Sequence, residues 1–243
     1  MENEIDVDAS DYARALAEGK DELQLQHFSE GLKLFTTAHN LSDTNYQIAE
    51  SAQQMGMCYA RLGQPVAADA SFTIALMYSE ATDAALFNRT KRDFAEAINI
   101  RLQENSKSIG GEQRYNLDNK AEKLFKESFE YFHFEGVDLN EAAATLSLWG
   151  FFIFVHQDKE VGIRSMQRAM KMALEQQKPN EVYVINGLIR LMRASRKDRK
   201  QYLGLALQLT NKSSESSARR KEVYAVIFGG NTGYKLAKRV FGK

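Results

Sequence analysis

The sequence predicts an all-α protein built from a row of short helix pairs, and three observations carry that prediction. Its 243 residues include only two prolines, Pro65 and Pro179, and proline is the residue a helix interior tolerates least. Runs rich in Val, Ile and Thr with period-two alternation, the mark of half-buried strands, are missing. Apolar residues recur instead at helical spacing, and small and aromatic residues return after 37 positions: Gly31, Phe35 and Ala38 are followed by Ala68, Phe72 and Ala75, and Gly150 by Gly187. A period of that length is the signature of a repeat architecture.

The elements follow in order. Residues 1–10 read as a flexible acidic N-terminus. A helical pattern begins at Asp11 with Tyr12, Leu16 and Leu23, and a second helix runs from about Phe28 to His39. These form a first repeat whose opening helix shows no packing glycine or tyrosine. The second repeat is the best defined, Ala52 to Leu76. Met55, Gly56 and Tyr59 share one face of its first helix, Gly63-Gln64-Pro65 breaks the chain, and Ala68, Phe72, Ala75 and Leu76 share a face of the second. Asp83 starts a long helix carrying Leu86, Phe87, Phe94, Ile98 and Leu102. After the glycine-ended loop from Asn105 to Gly111, its partner presents Ala121, Phe125 and Ser128. Asp138 is placed to cap a fourth repeat with Leu146, Trp149, Gly150 and Ile153, then Gly162, Met166 and Ala169. The fifth repeat centres on Gly187, with Leu203 and Ala206 in its second helix. Residues 211–217 read as a polar linker, and residues 218–243 as a basic tail whose glycines at 229, 230 and 233 favour a break.

The order large apolar, Gly, aromatic, turn, Ala, aromatic, Ala resembles the tetratricopeptide (TPR) repeat. Met55-Gly56 stands at the Leu-Gly position, Tyr59 at the Tyr, Ala68 at the small residue and Phe72 at the aromatic; Ala52 replaces the usual Trp and Glu80 the closing Pro. Repeat four carries the pattern as well. The resemblance implies a right-handed α-solenoid of about five helix pairs over residues 11–210, plus a C-terminal helix. Gly56 and Ala68 would let two antiparallel helices approach, with Tyr59 and Phe72 filling the space around them. A terminal unit of such an array exposes its core face. Val223, Val226 and Ile227 would cover it if the tail is a cap. The rival reading of the same tail, with 7 Lys/Arg against 1 Glu in residues 218–243, is an amphipathic anchor for an anionic surface, which the glycine break weakens.

Charge is balanced overall but not along the chain. Residues 1–51 hold 11 Asp/Glu against 3 Lys/Arg, a balance of −8, whereas residues 180–243 hold 4 against 14, a balance of +10. Such an asymmetry steers partners or favours head-to-tail association. The acidic start has no apolar core of a signal peptide. The longest apolar run, Leu148 to Val155, is far shorter than the roughly 20 residues of a membrane span. With one cysteine, Cys58, no internal disulfide forms, and a reducing cytoplasmic setting is expected.

No catalytic constellation is visible. His27, His39, His133 and His156 have no His or Cys partner three or four residues away, so neither a metal site nor a cofactor is expected. Cys58 reads as a small buried thiol. The segment Gly229 to Gly233 lacks the spacing of a phosphate loop. The cluster from Arg190 to Lys200 lacks the interleaved aromatics of a nucleic-acid surface.

In the TPR family the first helix of each pair lines a concave groove that holds an extended peptide. Counted from the matched glycines, the resemblance places Gln53, Met57, Ala60 and Arg61 there in repeat two. In repeat four it places Ser147, Phe151, Phe154 and Val155, and in repeat five Val184, Leu188, Leu191 and Met192. Gln53 and Met57, like Ser147 and Phe151, replace the Lys and Asn with which one subfamily clamps a terminal carboxylate, so that clamp is absent. The C-terminal half of the groove would be strongly apolar, an interface if it is bare or core if the helices turn it inward. The implied function is a non-catalytic interaction scaffold binding a protein or peptide, with self-association open. The alternatives are a peripheral membrane or anionic-surface adaptor acting through the tail, and a peptide-sensing regulator.

Overall fold

The computed structural model describes residues 5–134, 137–177, 180–195, 197–198 and 201–204. The polar linker and the basic tail expected over residues 211–243 lie outside these, as does the end of the fifth repeat. Among the described residues there is no strand, and besides a helical stretch at 201–204 the α-helices are α1 (Ile5–Gln24), α2 (Phe28–Asn40), α3 (Asn45–Arg61), α4 (Pro65–Ser79), α5 (Ala84–Glu104), α6 (Gly111–Phe134), α7 (Leu139–His156), α8 (Lys159–Leu174) and α9 (Glu181–Ala194). The first begins at Ile5, earlier than the Asp11 start that the apolar pattern predicts. The chain divides into two units, Met1–Ser128 and Phe129–Lys243. By sequence the first carries 21 acidic and 13 basic residues, a balance of −8, and the second 11 and 19, a balance of +8.

Helix starts are written in single side chains. Thr44 and Gln47 form a reciprocal capping box: the Gln47 amide donates to Thr44 Oγ1 at 3.2 Å, and the Thr44 amide to Gln47 Oε1 at 3.2 Å. Asp83 Oδ1 accepts from the Leu86 amide at 2.6 Å. Asp138 accepts from Asn140 and Glu141, and Asp158 from Glu160 and Val161. Between α3 and α4, Gly63 takes φ +70° and Pro65 opens the next helix, the two residues best suited to those places. Asp83→Ala should cost about 1 kcal/mol in chemical denaturation, while Asp83→Asn, which keeps an acceptor, should cost far less. Equal losses would show that the cap contributes nothing through its hydrogen bond.

In the first unit the α1–α2 and α3–α4 pairs each close around a glycine and a phenylalanine. A Cβ on Gly56 would lie 2.9 Å from the Phe72 ring, and one on Gly19 would lie 2.6 Å from the Phe35 ring. Gly19 and Phe35 precede Gly56 and Phe72 by the same 37 residues. The first repeat therefore has its packing glycine, contrary to the sequence reading. Glu22, where a tyrosine would stand, hides it. Tyr12, Leu16, Phe35, Ala38 and Cys58 share one buried cluster. Burial pushes the Cys58 thiol up to about 12. Phe72 also stacks on Phe94 of α5, centroids 5.0 Å apart.

In the second unit α7 and α8 make a closer crossing. Gly150 faces backbone atoms, the amide nitrogen of Met166 and the carbonyl of Gly162, both within 3.0 Å of an added Cβ. The α9 helix completes the core, where Val184, Ile185, Leu188, Leu191 and Met192 meet Met166 and Met170. Each buried residue of this size contributes on the order of 1.5–3 kcal/mol.

Candidate binding surface on the first helices

The helices that open each pair, α1, α3 and α5 in the first unit and α7 and α9 in the second, touch one another through polar side chains. The α1–α3 contact centres on Glu50. It accepts from Tyr12 Oη at 3.2 Å and from Lys20 Nζ at 2.9 Å. Burial, and then the Glu50 charge, raise the pKa of the Tyr12 hydroxyl above its ordinary value. Tyr46, one turn before Glu50, is shifted the same way by burial and Glu50, with Arg89 opposing.

Across α3–α5, Gln53 Nε2 donates to Asp93 Oδ2 at 2.9 Å, and Arg92 Nε donates to the other carboxylate oxygen at 2.9 Å. Two turns on, Arg61 Nη2 lies 3.7 Å from Glu96 Oε1, while Asn99 donates to Glu96 Oε2 and Gln103 to Asn99. Of the residues that the repeat pattern assigns here, Gln53 and Ala60 are buried, Met57 is half-buried, and the Arg61 side chain is 40% exposed. Arg61 has five N–H donors and one long ion pair, so it keeps the most unused capacity on this row.

Across α7–α9 the rungs are the Asn180 amide to Asn140 Oδ1 at 2.9 Å, Tyr183 Oη to Glu141 Oε1 at 2.9 Å, and Arg190 Nη1 to Ser147 Oγ at 3.3 Å. Beyond Ser147 stand Phe151 and Phe154, both half-buried and stacked with centroids 6.1 Å apart, and Val155, 40% exposed.

The expected bare apolar patch does not form from α9. Val184, Leu188, Leu191 and Met192 are fully enclosed in the core of the second unit. The apolar arc of α9 is too wide to leave outside, since it spans Val184, Ile185, Leu188, Ile189, Leu191 and Met192. Its opposite stripe, which includes Tyr183 and Arg190, meets α7. Of the apolar set proposed for this half, Phe151, Phe154 and Val155 keep access to solvent. The residues missed by counting from the motif are Glu50, Asp93, Glu141, Tyr183 and Arg190. No spacing within a single helix signals them, because each bond depends on the register between two helices.

Among the described residues, no three His, Cys, Asp or Glu side chains gather as metal ligands would. His27 pairs with Glu22 at 2.7 Å and His39 with Ser51 at 3.0 Å. No described helix is long and apolar enough to cross a membrane.

In comparison with known proteins, no family model and no curated sequence matches this chain. A solved structure does: that of PilF from Pseudomonas aeruginosa, a TPR-containing protein, with a TM-score of 0.53. The identity is 12%, over 96% of this chain and 93% of that one. The fold is TPR-like. At that identity the likeness extends to architecture alone.

Proposed function

We propose that the chain is a non-catalytic protein–protein interaction scaffold, which holds a segment of a partner protein along its first helices and acts in the cytoplasm. Met57 and Arg61 supply the contacts in the first unit, with Gln53 beneath them held by Asp93, and Phe151 and Phe154 supply them in the second. Leu188, Leu191 and Met192 act from beneath, as the packing that fixes the two rings. The observation that carries this reading is the pairing of Met57 with Arg61 one turn apart on α3: a half-buried apolar side chain beside a guanidinium with donors to spare. A segment laid along that face finds one apolar contact and one charged anchor, the combination from which binding hot spots are built.

A photo-crosslinking amino acid at Met57 tests this. We expect it to capture a defined partner in cells, at a yield several times that obtained from Thr73, an exposed residue of α4. Equal yields from the two positions would refute a groove on the first helices.

A further inference from the structure

The second unit offers a more specific surface on the same kind of face, and its occupant follows from charge and pattern. This inference rests on the scaffold reading and names one partner for it. The two rungs Tyr183–Glu141 and Arg190–Ser147 join residues 42 and 43 positions apart, so α7 and α9 run in register. Carried on by one turn, that register brings Ala194 level with Phe151, and Phe151, Phe154 and Ala194 all flank the same buried cluster. Here two half-buried stacked phenylalanines and the exposed Val155 make an apolar shelf. Arg193 and Lys197, at the end of this helix and just after it, are exposed. Neither is ion-paired among the described residues.

What fits such a shelf is a short segment with apolar side chains on one side and carboxylates on the other. The chain contains one. In residues 1–8, Glu2, Glu4, Asp6 and Asp8 alternate with Met1, Asn3, Ile5 and Val7. In an extended backbone successive side chains point to opposite faces, so the four carboxylates fall on one side and the three apolar residues on the other. The balance of −8 in the first unit against +8 in the second steers the first unit of one molecule toward the second unit of another. We infer that the shelf of Phe151, Phe154 and Val155, edged by Arg193 and Lys197, receives the N-terminal segment of a second copy of this chain. Ile5 and Val7 lie on the rings and the acidic side chains meet the two cations. Because α1 begins at Ile5, docking unwinds its first turn, and helix ends open at almost no cost in free energy. Tyr12, buried from α1 onward, keeps the rest of the helix in place. A segment of eight residues covers less than the roughly 1,200 Å² of a stable interface, so the association is weak, concentration-dependent and sensitive to salt.

The test uses the full chain and a fluorescent synthetic peptide of residues 1–12. Fluorescence anisotropy should show saturable binding, weakened roughly tenfold or more between about 0.05 M and about 0.5 M salt. The double variant Arg193→Glu/Lys197→Glu should lose a similar factor, with an unchanged circular dichroism spectrum. Sedimentation of the unlabelled chain at low salt should show mass rising with concentration, and removal of residues 1–8 should abolish that rise. A scrambled peptide of the same composition that binds equally well overturns the proposal, because composition and not pattern would then be read. A full chain that stays monomeric at low salt, while its shortened form binds the peptide, overturns docking between copies. Crosslinking from Met57 is unaffected by any of these results, so the scaffold reading is judged separately.

Discussion

Gly162→Ala should destabilise the second unit by about 1–3 kcal/mol or more, although it adds a single methyl group. A Cβ at this position would lie 2.4 Å from the Phe154 amide nitrogen and 2.6 Å from the Gly150 carbonyl oxygen. Both obstacles are backbone, and neither can swing aside as a side chain does. The methyl group is accommodated only if α7 and α8 move apart, which loosens every contact between them. Alanine's greater helix propensity works in the other direction, by about 1 kcal/mol, so the observed loss is what remains after that gain. Gly110→Ala is the control, because nothing lies within 4 Å of a Cβ there. Denaturant unfolding followed by circular dichroism gives both numbers. A Gly162→Ala variant as stable as the Gly110→Ala variant would mean that α7 and α8 do not cross at this glycine.

The largest loss is expected from Phe72→Ala, about 3–5 kcal/mol. Phe72 is fully buried, fills the space left by Gly56, and stacks on Phe94 with the rings 12° from parallel. Its removal leaves a cavity between three helices, and Gly56, which has no side chain, cannot fill it. Phe134→Ala, at a ring 73% exposed, should change stability by less than about 1 kcal/mol. The same denaturation experiment compares them. If Phe72→Ala proved no worse than Phe134→Ala, the helix pairs would not be organised around a glycine–phenylalanine contact.

That contact is also where the sequence was most legible. Gly56 with Phe72, and Gly150 with Gly162 and Met166, can be read because close packing admits few residue types, and those types recur at a fixed interval. Asp138 was legible as a cap because an acidic side chain before a helix has one local task. Gly19 was missed because the residues after it, Lys20-Asp21-Glu22, are polar, and a glycine among polar residues looks like solvent-facing chain. Its role depends on Phe35, which lies on another helix. The ladder of Glu50, Asp93, Glu141, Tyr183 and Arg190 was missed for a related reason. A hydrogen bond between helices depends on register, and spacing within one helix does not contain it. The inward turn of Leu188, Leu191 and Met192 is one of the two outcomes that the sequence allows. The breadth of the apolar arc on α9 decides it, because burying six large side chains outweighs presenting four of them to a groove.

The burial of Cys58 has a chemical consequence. With its thiol pushed up to about 12, only about one molecule in 10⁵ carries a thiolate there at pH 7, against a few in a hundred for a free cysteine. The thiolate is the species that reacts, and the sulfur is enclosed among Tyr12, Leu16, Phe35 and Ala38. As the only sulfhydryl in the chain, it is silent toward alkylating and oxidising reagents while these helices stay closed. It becomes ordinary when they part. The molecule thus carries an intrinsic probe of its own opening, placed where three helices of the first unit meet.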